Sequence, residues 1–252
     1  MFASYYDAFT EESDYEVWTG QILDVATRHG LAGNALLDLA CGTGNSFLPF
    51  ERRGFRVTGC DGSAAMLAEA ACKAPDVALV HADLRSLGVL GRFDLVTCFD
   101  DSLNYLPDRE ALLAAFHGIA ANLARRGLAC FDLNTLLAYR TTFARDRVFE
   151  RDGLVFAWRG QCSPHAEPGC RAAAEIDVFA PAGDALYERA TSRHEQRHFG
   201  CEEVVELLAI AGLECAAVYG VLDDGALVPA ADEHRHLKSL FVARHAKGGD
   251  AQ

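Results

Sequence analysis

Acidic residues recur where short apolar segments end in the first half of this sequence. Carboxylates there can accept hydrogen bonds from ribose hydroxyls or an adenine amino group, or balance a cationic ligand. One of them, Asp38, precedes Gly42 and Gly44 in LLDLACGTGNSF (36–47), and glycines let a ligand approach the backbone closely. In chain order the segment-ending residues are Asp38, Asp61, Asp83, the pair Asp100 and Asp101, and Asp132 with Asn134. This succession indicates a polar ligand lying along one edge of a sheet.

The elements that must position these residues alternate between strand and helix from about residue 20 to 135. Apolar runs of strand length between amphipathic helices predict βαβ units and a parallel sheet that is buried on both faces. In such sheets ligands bind at the carboxyl ends of the strands. The predicted strands are 35–40, 55–61, 77–83, 92–100 and 128–134, and the predicted helices are 15–29, 45–54, 63–74 (with Ser63 as N-cap) and 108–127.

The pattern changes to alternating polar and apolar residues between Val148 and Phe199. Three such segments, 154–162, 170–180 and 185–199, are separated by the turn sequences SPHAEPG and PAGD. They predict a three-stranded antiparallel insert. The α/β pattern then resumes with a helix at 201–212 and strands at 213–220 and 236–244.

Composition excludes several classes of protein. With 36 acidic and 23 basic residues among 252, the net charge is −13, which disfavours a nucleic-acid partner. No apolar stretch has transmembrane length and no signal peptide is evident, so we expect a cytoplasmic protein without membrane contact. Nine scattered cysteines form no Cys-x-x-Cys pair, and DEHRH (232–236) offers no closed ligand set, so buried reduced thiols and no metal are expected.

The motifs LLDLACGTGNSF, VTGCD, HADL and FDLVTCFDDSLNYL together resemble the class I S-adenosylmethionine-dependent methyltransferases over residues 1–135. More narrowly, the chain is similar to bacterial small-molecule methyltransferases of secondary metabolism, including sugar N,N-dimethyltransferases. The shared features are the N-terminal YYDAFT…DYEVW, the DDSLNYL segment and the insert after strand five.

The resemblance implies an α/β fold with a Rossmann-like, doubly wound, mostly parallel seven-stranded sheet and an antiparallel three-strand cap inserted after strand five. Residues 1–147 and 199–246 would form the S-adenosylmethionine-binding domain, with 1–19 as a lid over the cofactor. Residues 148–198 would form the substrate cap.

The same resemblance, together with the residue types, implies a binding site for S-adenosylmethionine. Asp61 lies where a carboxylate can accept both ribose hydroxyls, Asp83 can accept from the adenine amino group, and Met66 and Leu84 can sandwich the ring. Asp38 would lie near the ammonium-bearing methionyl end. The cofactor residues expected are Tyr6, Tyr15, Trp18, Asp38, Ala40, Gly42, Gly44, Asp61, Gly62, Met66, Asp83, Leu84, Phe99 and Asp100. Packing of a first helix remains an alternative role for the three N-terminal aromatics, as helix capping does for Asp61.

Substrate-side residues are expected after strands four, five and six and on the insert. His198, at the junction of insert and helix, is the first candidate for a general base, with Tyr105 and Asp101 as further catalytic candidates. An exposed face of an antiparallel strand is the alternative location for His194 and His198. The predicted substrate-binding residues are Asn104, Asn134, Tyr139, Trp158, His194 and Tyr219.

The sequence therefore predicts in-line transfer of a methyl group to N or O of a small-molecule metabolite, with a homodimer left open. An NAD-linked oxidoreductase is a rival, although Phe47 occupies the position of its third glycine. A cofactor-binding protein that no longer catalyses is the other alternative, because fold alone does not establish function.

Overall fold

Apolar segments of three to twelve residues form the main sheet, and amphipathic segments between them form the helices. The computed structural model describes residues 2–183, 186–222 and 224–246. The strands are β1 Ala35–Leu39, β2 Arg56–Asp61, β3 Ala78–His81, β4 Phe93–Cys98, β5 Leu123–Asn134, β6 Arg147–Arg151, β7 Leu154–Gln161, β8 Arg171–Pro181, β9 Tyr187–Arg197, β10 Leu213–Val221, β11 Leu227–Pro229 and β12 Lys238–His245. The helices are α1 Tyr6–Phe9, α2 Tyr15–Arg28, α3 Leu48–Arg52, α4 Ala64–Lys73, α5 Arg109–Asn122, α6 Leu136–Thr141 and α7 Cys201–Ile210, with 3-10 turns at Phe2–Tyr5, Leu84–Ser86 and Ser102–Tyr105.

The main sheet has the strand order β11-β10-β12-β5-β4-β1-β2-β3. Strands β1 to β5 pair in parallel, and β12 runs antiparallel to both β5 and β10. The α/β class and mostly parallel sheet are thus confirmed. The strand count is eight rather than the predicted seven, because the three residues of β11, too short to give a periodic pattern, pair with β10.

The second sheet is antiparallel throughout and has the order β6-β7-β8-β9. The prediction of an antiparallel insert after strand five is confirmed, but it has four strands rather than three. Strand β6 was missed because its residues are exposed or half-buried and show no apolar alternation. Its central residue, Phe149, pairs with Phe156 of β7.

Helix ends follow local capping chemistry. The Ser63 hydroxyl accepts from the Met66 amide, which confirms the predicted N-cap of α4. Helix α5 ends at Asn122 rather than Gly127, because the chain enters β5 at once. The Asn122 side chain accepts from the amides of Leu90 and Gly91 and so ties the end of α5 to the loop before β4.

Apolar clusters cover both faces of the main sheet. On one face Phe131 and Phe241 stack at 5.2 Å and pack with α5 and α7, and on the other Ile22 and Val25 of α2 pack on the strands. The expected burial is confirmed for Cys60, Cys98 and Cys130, whose thiols are free, but Cys72 is exposed because it lies on the outer face of α4. Among the described helices, none is long and apolar enough to cross a membrane.

A separate cluster joins the small sheet to the N-terminal segment. Phe9 lies 5.7 Å from Phe156 and 6.4 Å from Trp158 between ring centroids. Arg151 of β6 pairs with Glu12 at 2.6 Å and donates to the carbonyl of Phe9. The first residues of the chain therefore lie between the small sheet and the edge of the main one.

Candidate active site

Two cavities meet at the carboxyl ends of the parallel strands. The loop that follows β1 and contains Gly42 and Gly44 is called the glycine loop. The loop cavity, about 560 Å³, lies beside it and beside the ends of β2 and β3. The cap cavity, about 690 Å³, lies under the small sheet. The residues that line both cavities are Phe2, Tyr6, Asp100, Tyr105 and His194. We call these five the boundary residues, since a group passing from one cavity to the other must cross them.

The glycine loop is held open by backbone conformation and by Asp61. Gly42 and Gly44 have positive φ values of 55° and 91°, and Ala40 adopts 51°. A side chain at Gly42 would point toward Tyr6, whose ring carbon lies 3.8 Å from the expected Cβ position. The Asp61 carboxylate accepts from the amides of Gly42 (2.9 Å) and Ser63 (2.7 Å), so it fixes both the loop and the start of α4.

Asp38 supports the loop from within the core instead of forming a wall of the cavity. Its side chain is 1 % exposed, and its two oxygens accept from the hydroxyls of Ser46 and Thr97, each at 2.6 Å. Burial raises the pKa of the Asp38 carboxyl to about 7, against the lowering effect of these hydrogen bonds. The structure therefore does not bring Asp38 to the cavity surface together with Asp61.

The far wall of the loop cavity carries the predicted adenine-side residues. Met66 and Leu84 line it with Gly62 and Asp83. Asp83 caps the 3-10 turn at Leu84 by accepting from the amide of Arg85, and it also pairs with that guanidinium. Hydrogen bonds from Arg85 lower the pKa of the Asp83 carboxyl, so Asp83 is an acceptor at neutral pH.

The N-terminal segment is fastened to the glycine loop by Asp7. One Asp7 oxygen accepts from the Thr43 hydroxyl at 2.6 Å, and the other lies 2.5 Å from the Lys73 ammonium. Tyr6, the preceding residue, thereby lines both cavities. Sequence reasoning missed Asp7, whose only signal was its place in the aromatic segment.

Tyr15 and Trp18 contact the turn after β4 rather than the loop cavity. The Tyr15 hydroxyl donates to Asp100 at 2.7 Å, and the Trp18 ring meets the Phe99 ring edge-on at 5.7 Å. Both contacts hold α2 against the end of β4. Asp100 itself is a boundary residue.

Asp100 and Asp101 occupy a tight left-handed turn that a half-buried lysine, Lys238, stabilises. Both have positive φ, 55° and 51°, which is unusual for two successive non-glycine residues. The Lys238 ammonium lies 2.9 Å from both Asp101 and Asp132, and 3.8 Å from Asp100. Burial raises the pKa of Asp132 to about 6, against the lowering effect of Lys238. Lys238 was missed because it begins β12, more than 100 residues from these acids.

Tyr105 and His194 form a hydrogen-bonded pair on the boundary. The Tyr105 oxygen lies 2.8 Å from His194 Nδ1, and His194 Nε2 lies 3.0 Å from the Ser192 hydroxyl. Phe2 packs edge-on against the His194 ring at 5.2 Å. Partial burial lowers the pKa of His194, so its ring is neutral at pH 7 and able to accept a proton.

His198 lines neither cavity, and this position does not favour its predicted role as general base. It is fully buried, Nδ1 accepts from the Gly169 amide, and Nε2 lies 3.3 Å from Glu233. The physical reason is that β9 ends at Arg197, so the alternation that keeps His194 on the cavity face does not extend to His198.

The predicted substrate residues divide between the cap cavity and the core. Asn134 and Trp158 line the cap cavity. Asn104 is fully buried and bridges the Asn134 amide to the Arg197 carbonyl. Tyr139 is also buried, and stacks on Phe143.

Tyr219 contacts His29 at 3.0 Å, on β10 away from both cavities. Gln196, which was not predicted, lines the cap cavity and donates to Asp101. Within the described ranges, no three His, Cys, Asp or Glu side chains are grouped to hold a metal ion.

Comparisons with known proteins identify this arrangement. Residues 36–127 match a family model described as a methyltransferase domain. The chain is 30 % identical over 251 residues to YqeM of Bacillus subtilis (strain 168), covering 98 % of this chain and 96 % of that protein, whose name assigns it provisionally to the methyltransferases. It is 34 % identical over 115 residues, 46 % of this chain and 45 % of the other, to dTDP-3-amino-3,6-dideoxy-alpha-D-glucopyranose N,N-dimethyltransferase of Streptomyces fradiae.

A solved structure shares the fold over nearly the whole chain. It is an S-adenosylmethionine-dependent methyltransferase from Clostridium acetobutylicum ATCC 824, with a TM-score of 0.83, 24 % identity, and 96 % coverage of both chains. The predictions of an enzyme, of S-adenosylmethionine as cofactor and of methyl transfer are confirmed, and neither the oxidoreductase nor the non-catalytic alternative is favoured. The chain belongs to the class I S-adenosylmethionine-dependent methyltransferases.

Proposed function

We propose that the protein methylates an amine nitrogen of a small molecule held in the cap cavity, using S-adenosylmethionine held in the loop cavity. The observation that carries this proposal is the shared wall of five boundary residues. In-line transfer requires donor and acceptor to meet within van der Waals distance, and the boundary is where the two cavities allow it. The amino-sugar substrate in the name of the Streptomyces fradiae relative supports nitrogen over oxygen.

The loop cavity fits the cofactor by its shape and its acceptors. A carboxylate offers about four lone-pair sites. Gly42 and Ser63 use two sites of Asp61, which leaves two for ribose hydroxyls. Met66 and Leu84 are placed to cover an adenine, with Asp83 as acceptor for its amino group. When bound, S-adenosylmethionine supplies a methyl group on a cationic sulfur, which the acidic turn at Asp100 suits electrostatically.

The boundary pair supplies a route for the substrate proton. At neutral pH an aliphatic amine is mostly protonated. The ammonium must lose a proton before the nitrogen lone pair can attack. We assign Tyr105 as the group that takes this proton while its own hydroxyl proton passes to His194 Nδ1. Tyr105 stays neutral and His194 becomes the imidazolium. This route uses the tautomer in which Nε2–H donates to Ser192.

The proposal keeps the predicted division of the chain. Residues 1–147 and 199–246 are assigned to cofactor binding, 148–198 to the cap, and 1–19 to a lid, which the contacts of Asp7 and of Phe9 support. Cytoplasmic location, a homodimer and the lack of a nucleic-acid partner stay predictions.

The test is formation of S-adenosylhomocysteine by the purified protein with a panel of amino sugars and aliphatic amines, each paired with its hydroxyl analogue. We expect turnover of at least one amine and none of its hydroxyl partner. Turnover confined to hydroxyl compounds would overturn nitrogen as the acceptor. Absence of turnover across the panel, with cofactor bound, would count against a small amine as substrate.

A further inference from the structure

The cap cavity has charges of opposite sign on its two sides. Asp100 and Asp101 line it where the boundary begins, whereas Arg147 and Arg151 line it on β6. Strands β6 and β9 are the two edges of the small sheet, three strand spacings apart, or about 14 Å. Arg147 and Arg151 therefore lie well away from the site of methyl transfer, whereas Lys238, which also lines the cavity, is paired with the acids at that site.

One row of side chains connects these two edges. Arg147 pairs with Trp158, Trp158 with Ile176, and Ile176 with Ser192 across the four strands. Directly paired residues point to the same face of a sheet, and so does a residue two positions along. Arg147 and His194 thus share the cavity-lining face, one at each edge.

Arg147 has no ion pair or hydrogen bond with any residue that the structure describes. Its guanidinium lies 5.2 Å from the centroid of the Trp158 ring, which provides a flat support. The neighbouring Arg151 is different, because its charge is balanced by Glu12 at 2.6 Å. Partial burial and the nearby Arg151 lower the pKa of Arg147, against the raising effect of Glu12, which itself pairs with Arg151.

We propose that Arg147, supported by Trp158, binds an anionic group of the substrate and so selects amines that carry a phosphate or a carboxylate remote from the nitrogen. This inference rests on the proposed function, whose acceptor nitrogen lies at the other side of the cavity. A guanidinium presents parallel N–H donors that match both kinds of oxyanion. With a net charge of −13, the rest of the protein does not attract anions in general.

The experiment measures anion binding without requiring the true substrate. Phenyl phosphate and benzoate, two aromatic anions that differ in the charged group, are titrated calorimetrically into the full chain, alone and after loading with S-adenosylhomocysteine. The variants are Arg147→Gln, Arg147→Lys and Arg193→Gln. Arg193 is the matched control, since it lies on β9 between the cavity-facing Ser192 and His194 and pairs with Glu195.

We expect at least one anion to bind the unaltered chain with a Kd of about 1 mM or tighter. Arg147→Gln should weaken it about tenfold or more, because a charge-assisted contact is lost, Arg147→Lys should weaken it less, and Arg193→Gln should change it less than twofold. The preferred anion identifies phosphate or carboxylate as the group selected.

Two results would overturn the inference: no binding of either anion to the unaltered chain, or equal binding by Arg147→Gln. The loading step keeps this separate from the proposed function. If S-adenosylhomocysteine binds and the anions do not, only the role of Arg147 fails. If S-adenosylhomocysteine does not bind, the proposed function fails, and the titration of the unloaded chain still decides the role of Arg147.

Discussion

The hydroxyl oxygen of Tyr105 lies 2.8 Å from Nδ1 of His194, although the two residues are 89 positions apart in the chain. The first belongs to the 3-10 turn after β4, and the second to the edge strand β9 of the small sheet. Their contact closes the small sheet over the end of the main sheet at the boundary of the two cavities. The chemistry of the site therefore depends on how the insert docks on the α/β frame.

Replacing His194 by Gln should lower kcat about 100-fold, the lower end of what a general base contributes. Glutamine can still hydrogen-bond Tyr105 but cannot take up its proton. Only the neutral ring accepts a proton, and burial lowers the pKa of His194. The kcat of the unaltered enzyme should stay level down to about pH 6.5, the ordinary pKa of histidine, and fall only at more acidic pH. Steady-state kinetics on both sides of that pH measure this.

The control for that variant is His117→Gln, on an exposed position of α5. It should leave both kcat and the pH profile unchanged. If the kcat of His194→Gln falls at acidic pH in the same way as the kcat of the unaltered enzyme, a group other than His194 titrates.

Replacing Asp38 by Asn should make stability less dependent on pH. The carboxyl ionises near pH 4 in the unfolded chain but holds its proton to about pH 7 when folded. The folded form binds the extra proton in that window, so the contribution of Asp38 to the free energy of unfolding decreases as pH rises, by up to about 1.4 kcal/mol per pH unit. Urea unfolding at a series of pH values from about 5 to about 8 checks this.

The stability advantage of the unaltered protein over Asp38→Asn should shrink as the pH rises to about 7 and then level off. Asp24→Asn, on the exposed side of α2, is the matched control and should show no such trend. A constant difference between the Asp38 variant and the unaltered protein would mean that Asp38 is ionised when folded.

Replacing Lys238 by Met should lower the free energy of unfolding by about 2 kcal/mol, less than for a fully buried pair because 26 % of the lysine side chain is exposed. The change leaves the carboxylates of Asp101 and Asp132 without their shared cation. Urea unfolding provides the measurement.

Lys73→Met, which removes a pair with the half-exposed Asp7, should change stability by no more than about 1 kcal/mol. Adding Asp132→Asn to Lys238→Met should restore part of the loss, since it removes one uncompensated charge. A loss for Lys238→Met no larger than for Lys73→Met would contradict a supporting role for this lysine.

Replacing Asp7 by Ala should weaken binding of S-adenosylhomocysteine about three- to tenfold, equivalent to roughly one hydrogen bond. The variant releases the N-terminal segment from Thr43 of the glycine loop and from Lys73, without substituting any residue of the loop. Calorimetry gives the Kd, and hydrogen exchange of residues 2–13 should speed up in parallel.

Glu16→Ala removes the same charge from the same end of the chain but breaks pairs with Arg52 and Arg53 on the surface. It should leave the Kd unchanged. Equal effects of the two variants would mean that charge, and not the fastening of the segment, governs cofactor affinity.

The sequence was informative wherever local pattern determines position. Parallel strands bring their carboxyl ends to one edge, so the strand pattern alone was enough to predict that Asp61, Asp83 and Asp100 lie together, and all three line the loop cavity. The capping role of Ser63 likewise depended only on its immediate neighbours.

What sequence could not supply were contacts between distant segments. Lys238 stands in no motif, and only the antiparallel insertion of β12 beside β5 brings it to Asp101. Whether His194 or His198 faces the cavity depends on where β9 ends. The alternation of polar and apolar residues does not show that end. The burial of Asp38 could not be predicted either, because the strand pattern does not show that Ser46 of the following loop donates a hydrogen bond to it.

Isothermal calorimetry with S-adenosylhomocysteine measures whether the loop cavity binds the cofactor through Asp61. We predict one site per chain for the unaltered protein, a Kd weakened about tenfold or more by Asp61→Ala, and no change with the exposed Asp24→Ala. Failure of the unaltered protein to bind, or binding by Asp61→Ala as tight as by the unaltered protein, would rule out cofactor binding through Asp61.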